Sequence, residues 1–221
     1  MKTRSKALLL TMCAVVLVIG SVFGTIAYLT DADSVTNTFS VGSVSLKLDE
    51  AKVDEMGKPD GTNRWQPTET DKEQEYHLLP GHTYTKDPTV TVDTDSEESY
   101  VRMMVNITYK AEADAVFAKY GVDNWLNIDA ENWIVNGAPE TTKDKNNGTI
   151  SRIYEFRYKT TVTKSESETK LPALFTTLTV PGEVTNDEIA YLAGMNITVE
   201  AHAIQAAGFA DVDAAWNAFS K

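Results

Sequence analysis

Tyr100-Val-Arg-Met-Met-Val-Asn-Ile-Thr-Tyr109 is the most regular strand-like run in the chain. Val101, Met103, Val105, Ile107 and Tyr109 alternate with Arg102, Asn106 and Thr108. Successive side chains of a strand point to opposite faces, so this is an antiparallel strand with one buried and one wetter face. It is followed by a change of period. Ala113, Val116, Phe117 and Tyr120 repeat every three or four residues, and Gly121 closes the run, which predicts a short amphipathic helix between strands.

The same alternation recurs on both sides. Val44, Leu46 and Leu48 share one face of a strand, and Val35, Phe39 and Val41 before them have the opposite parity. The switch at Gly42-Ser43 predicts a bulge or a change of sheet. Asp49 to Glu75 is polar, with its clearest turn at Gly57-Lys-Pro-Asp-Gly61, and is expected to be an exposed excursion anchored by Trp65. Leu79-Pro-Gly-His82 predicts a turn, and Thr89–Val92 a strand with Val90 and Val92 inward. Trp125, Leu126, Trp133 and Ile134 are expected to pack beneath the helix or start the next strand, and Asn146-Asn-Gly148 marks a turn. Tyr154, Phe156 and Tyr158 face one way and Glu155, Arg157 and Lys159 the other. Leu174–Val180 predicts a further strand. Thr185-Asn-Asp-Glu188 has the form of a capping box, opening a helix that Gly194 stops. Met195, Ile197, Val199, Ala201 and Ala203 make the last strand, and Asp211 caps a final turn of helix carrying Trp216 and Phe219. Together these runs predict a mainly β protein, an antiparallel, jelly-roll-like β-sandwich with two or three short helices.

The N-terminus sets the compartment. Lys2, Arg4 and Lys6 precede an apolar run from Ala7 to Ile19, Gly20 and Ser21 break it, and Thr25-Ile-Ala27 supplies the small residues a signal peptidase needs. This is the layout of a secretory signal peptide, cut between Ala27 and Tyr28. The competing reading is a retained anchor, because nothing from Ala7 to Thr30 is charged. The glycines and hydroxyl residues of its second half and the acidic flank beyond favour cleavage. Cys13 follows Met12, which is too bulky for a lipoprotein cleavage box. The expected organisation is a signal peptide over 1–27 and one β-sandwich domain over 28–221.

Cleavage leaves 17 of the 20 basic residues against all 32 acidic ones, a formal charge of −15. Such a surface repels nucleic acid and anionic lipid, so neither is an expected partner, and the membrane is met only through an uncleaved signal segment. Cys13 is the only cysteine, so the mature chain is expected to have no disulfide, thiolate metal site or cysteine nucleophile. The sequons at Asn106, Asn147 and Asn196 are read as chance.

Enzyme chemistry is thin. His77, His82 and His202 fall in no metalloprotease spacing, and no nucleophile elbow or phosphate loop occurs. Asp93-Thr-Asp-Ser-Glu-Glu98 has carboxylates at alternate positions that suit calcium, but acidic turns are ordinary on so negative a chain. The row Tyr154, Phe156, Tyr158 is either a ligand platform or core, and a sandwich core needs such residues. No catalytic residue, metal or cofactor is expected.

Two blocks carry a resemblance. Gly24-Thr-Ile-Ala-Tyr-Leu-Thr-Asp31 followed by Asn37-Thr-Phe-Ser-Val-Gly-Ser-Val-Ser-Leu-Lys-Leu48 resembles the start of the TasA/camelysin family, and Leu78-Leu-Pro-Gly81 resembles that family's next recurring turn. Asp49–Glu75 and Lys110–Asn147 follow no family pattern. The resemblance implies export by a Gram-positive bacterium, processing after Ala27 by a signal peptidase of the SipW type, and a jelly roll at the cell surface or in the biofilm matrix. It also implies self-association, or assembly with other matrix proteins, into fibres. In such assembly the freed strand, about Tyr28–Val41 with Val35, Phe39 and Val41 inserted, joins a neighbouring subunit's sheet. The alternative is that residues 34–48 complete their own subunit's sheet. Camelysin-type relatives are labelled metallopeptidases, a label without a zinc motif here, and a surface adhesin or carbohydrate-binding jelly roll using Trp65 is the reading from the binding class.

Overall fold

The computed structural model describes residues 43–68 and 73–219, which form one compact unit. The central strand is the one the alternation picks out. Ser99–Lys110 (β5) pairs with Thr149–Tyr158 (β8) on one side and with Asn196–Gln205 (β11) on the other. Trp133–Val135 (β6) and Glu140–Lys143 (β7) both lie against the far edge of β8, giving the order β11-β5-β8-β6. A second sheet runs β2-β1-β4-β9, from Pro59–Trp65 (β2), Leu46–Val53 (β1), Thr89–Val92 (β4) and Thr169–Lys170 (β9). Thr83–Thr85 (β3) pairs with Thr177–Thr179 (β10) in a short ribbon. Every pairing is antiparallel, and the architecture is a β-sandwich with three short helices.

Burial explains the layering. Val101, Met103, Val105, Ile107 and Tyr109 of β5 are almost wholly buried, against Val90 and Val92 of β4 and Phe156 of β8. Tyr154 and Tyr158 pack against the same core, so the aromatic row belongs to it. The predicted helix is Asp114–Tyr120 (α1). It ends on Gly121, whose φ of 58° is the left-handed conformation that glycine takes without a Cβ clash. Phe117 stacks on Tyr109 with ring centres 3.8 Å apart, which ties the helix to the strand preceding it. Trp125, Leu126 and Trp133 are buried below, while Ile134 is exposed. Thr185 and Glu188 form the capping box of Asn186–Tyr191 (α2), and Asp211 caps Val212–Phe219 (α3) through the Ala214 amide. Among the described residues no helix is long and apolar enough to cross a membrane.

Three expectations are corrected. The polar 49–75 stretch is no simple excursion: β1 continues to Val53, turns over Asp54–Gly57 and returns as β2, so Pro59, Asp60 and Gly61 lie in a strand. Polar contacts rather than apolar alternation hold this hairpin, and its sequence therefore looks like a loop. Leu174–Val180 shrinks to the three residues of β10, because Leu174 and Phe175 are buried in succession and the Asn127 side-chain carbonyl takes the Thr176 and Thr177 amides. The wetter face of β5 is dry at one end, where α3 covers Arg102, which is only 8% exposed. Residues 1–42, and with them the Gly42 parity switch, lie outside the described residues.

Candidate functional site

Among the described strands β11 is an edge strand of its sheet. All ten of its residues pair with β5, and among the described residues no strand pairs with its other side. Its inward residues Ile197, Val199, Ala201 and Ala203 are only half-buried, unlike their fully buried partners on β5. The reason is geometric: each inward side chain at a sheet's edge has a packed neighbour on one flank only. Across from this edge stand Leu48 and Glu50 of β1, and the space between is a groove of about 740 Å3. Ile189 and Leu192, together with Met195, line it from α2 and the turn that follows.

The segment through Gln74 and Tyr76 runs beside β1 and acts as a strand by proxy. The Gln74 side chain accepts from the Val53 amide at 2.9 Å and donates to the Ala51 carbonyl at 3.1 Å. Asn196, first residue of β11, donates from its side chain to Glu73 at 3.2 Å and so ties this segment to the free edge. Trp65 also lines the groove, half-buried, with its indole N–H enclosed and unpaired.

An ion pair faces this apolar space. Lys86 Nζ donates to both Glu50 oxygens at 2.9 Å, and the two side chains are 10% and 8% exposed. Tyr76 lies beside it, with the ammonium 5.8 Å from its ring centre. Burial, then the negative charges of Glu50 and Asp87, push the Tyr76 phenol well above its ordinary range, so it stays protonated and donates to the Thr85 carbonyl. Arg64 closes the far side of the hairpin by bridging Asp49 and Asp87. Burial works against its charge, and the hydrogen bonds it donates to Asp87 and Asp49 outweigh that and raise its pKa. Sequence parity held the signal for Glu50: it follows Leu46 and Leu48 at the same two-residue spacing, inward on β1.

The structure disperses the other candidates. His82 bonds the Met56 carbonyl at 2.9 Å and stacks edge-on against Tyr84. His202 sits on the opposite face of the other sheet, beside Arg102. In the acidic loop Asp93 is held by Ser45 and Lys47, Glu97 by Lys164 and Glu98 by the Thr161 hydroxyl, so three of its four carboxylates are drawn to separate partners. Among the described residues no group of three or more histidine, cysteine, aspartate or glutamate side chains is placed to hold a metal ion. Thr25, Ala27 and Tyr28 of the cleavage site and Val35, Phe39 and Val41 of the expected donor strand lie outside the described residues. Comparison with known proteins adds no relative: no family model matches the chain, and neither curated proteins nor solved structures give a match.

Proposed function

We propose that this protein is an exported structural subunit of a bacterial cell surface or extracellular matrix. In this reading it assembles by taking the N-terminal segment of a second copy along the free edge of β11. The observation that carries it is the combination of a ten-residue edge, with which no described strand other than β5 pairs, and a groove beside it lined in part by half-buried apolar side chains. Strand addition draws affinity from main-chain hydrogen bonds and specificity from alternate side chains entering pockets. The segment Tyr28–Val41 supplies alternate apolar residues at Val35, Phe39 and Val41. Ten residues of extended chain span roughly 33 Å, so 14 residues are long enough to line the edge. Cleavage after Ala27 by a signal peptidase of the SipW type frees that segment and licenses assembly.

The test compares Tyr28–Lys221, the same chain with Val199→Lys, and Val44–Lys221, by electron microscopy and light scattering. Fibres from the first alone, with the other two folded and monomeric, are expected. Three monomers would rule out self-assembly and return the adhesin reading, or the peptidase reading if casein is cut in a chelator-sensitive way. Unfolding of the truncated form alone would assign residues 28–43 to the subunit's own sheet.

A further inference from the structure

The C-terminal helix α3 lies on the outer face of the β11-β5-β8 sheet, away from the groove. Ala215 and Trp216 are its buried residues. Beneath them Arg102 of β5 places its guanidinium 4.3 Å from the Trp216 ring centre and 5.0 Å from that of Phe219. Arg102 is the register partner of Arg157 on β8 and of His202 on β11, so three nitrogen-bearing side chains stand in one row across the sheet.

The counter-charges of that row are already engaged. Arg157 donates to Glu155 at 2.6 Å and to Asp213 of α3 at 2.5 Å, and Glu155 also stands 3.7 Å from Arg102. His202 faces Arg102 from β5, Glu155 from β8, Glu200 on its own strand and Phe219 from α3, while Asp213 of α3 pairs with Arg157 on the far side of Arg102. Arg102 Nε donates to His202 Nδ1 at 3.3 Å. A guanidinium only donates, so Nδ1 must present its lone pair and the imidazole must be neutral. The carboxylate nearest the far nitrogen is Glu200, 3.9 Å from Nε2 and 74% exposed, where water screens it.

We propose that His202 is a pH-operated latch for α3: its protonation removes the acceptor for Arg102, sets a cation against that guanidinium, and releases the helix from the sheet. Release uncovers Trp216 and the outer face of β5 and β8. Burial first, and the Arg102 charge second, hold the His202 imidazolium below its ordinary value of 6.5, against weaker pulls from Glu200 and Glu155. The sign follows: a depressed histidine is neutral when docked. The docking contribution is complete above about pH 6.5 and is lost as pH falls through the docked value.

Hydrogen exchange of the 212–219 amides in Tyr28–Lys221, corrected for intrinsic rate, tests this at several pH values between 7.5 and 4.5. The open fraction of wild type is expected to rise by up to about tenfold per pH unit below the undocked pKa, and that of His202→Gln, which keeps an acceptor and takes no proton, to stay within twofold. An equal rise in both, or no rise in wild type, overturns the proposal. Glu200→Gln keeps the test decisive if His202→Gln fails to dock at pH 7.5. Losing the larger of the two carboxylate pulls that favour the imidazolium is expected to move the release midpoint to lower pH, and an unmoved midpoint refutes the latch.

Discussion

Lys86→Met tests the groove and its ion pair together. Both Lys86 and Glu50 are nearly enclosed, and the lysine bonds both carboxylate oxygens. Removing the ammonium leaves a buried carboxylate with no counter-charge, a loss that costs about 3–5 kcal/mol. Replacing both partners with apolar side chains removes the desolvation burden along with the attraction, so Glu50→Leu with Lys86→Met is expected within about 1 kcal/mol of wild type or above it. With a urea slope of about 2 kcal/mol per molar, the single variant loses roughly 1.5–2.5 M from its unfolding midpoint and the double variant recovers most of it. Equilibrium unfolding of Tyr28–Lys221, followed by circular dichroism, reads both. A single-variant loss below about 1 kcal/mol is the size of an exposed pair and would refute burial at this site. A double variant as weak as the sum of the singles would refute their coupling.

Two further outcomes follow from local geometry. Gly57 has φ of 72°, and a Cβ there would lie 2.7 Å from the Tyr84 Cα and Cβ. Gly57→Ala combines left-handed strain of about 1–2 kcal/mol with a clash against β3, so a loss above about 2 kcal/mol by urea unfolding is expected, and a loss under 1 kcal/mol contradicts the close approach. Glu188 is lowered from 4.5 to about 2, chiefly by Lys119, then by the Thr185 amide and Tyr120. A depressed carboxylate stabilises the fold above its unfolded value. The α2 cap is therefore complete above about pH 4.5 and lost as pH falls toward 2, and nuclear magnetic resonance titration showing Glu188 at 4.5 would remove that contribution.

How much was legible depended on what holds each element. β5 and β11 are held by apolar alternation, and Gly121 and the Thr185–Glu188 pair announce their helix ends chemically, so these read directly from the chain. The β1–β2 hairpin is held by Arg64 between Asp49 and Asp87 and by Glu50 on Lys86, and such charges look like solvated surface until distant residues are brought together. The same limit hid the cover over Arg102. An arginine alternating with apolar neighbours reads as a wet face, and only the return of Trp216 from 114 positions later in the chain makes that face dry. The groove arises from a meeting of β1 and β11, strands nearly 150 residues apart, and no local pattern encodes it.

The edges of the sandwich are unequal, and that inequality bears on assembly. A long regular edge is a template for another strand, and proteins usually blunt it by shortness, proline, bulges or charge. Here β9 has two residues, β6 three and β7 four, too short to template much. β2 opens on Pro59 and its pairing with β1 shifts register between Ala51 and Val53, so that edge is broken as well. β11 alone among the described edges runs ten residues in unbroken register, with no proline and with half-buried apolar side chains toward the groove. Glu200 and His202 point to the opposite face, so no charged side chain of β11 itself guards the groove side. Blunting three edges and leaving the fourth long, regular and apolar is what directional growth by strand addition requires. In the proposed assembly the contact is heterologous, and its repetition builds an open filament wherever the rotation between successive copies does not close a ring.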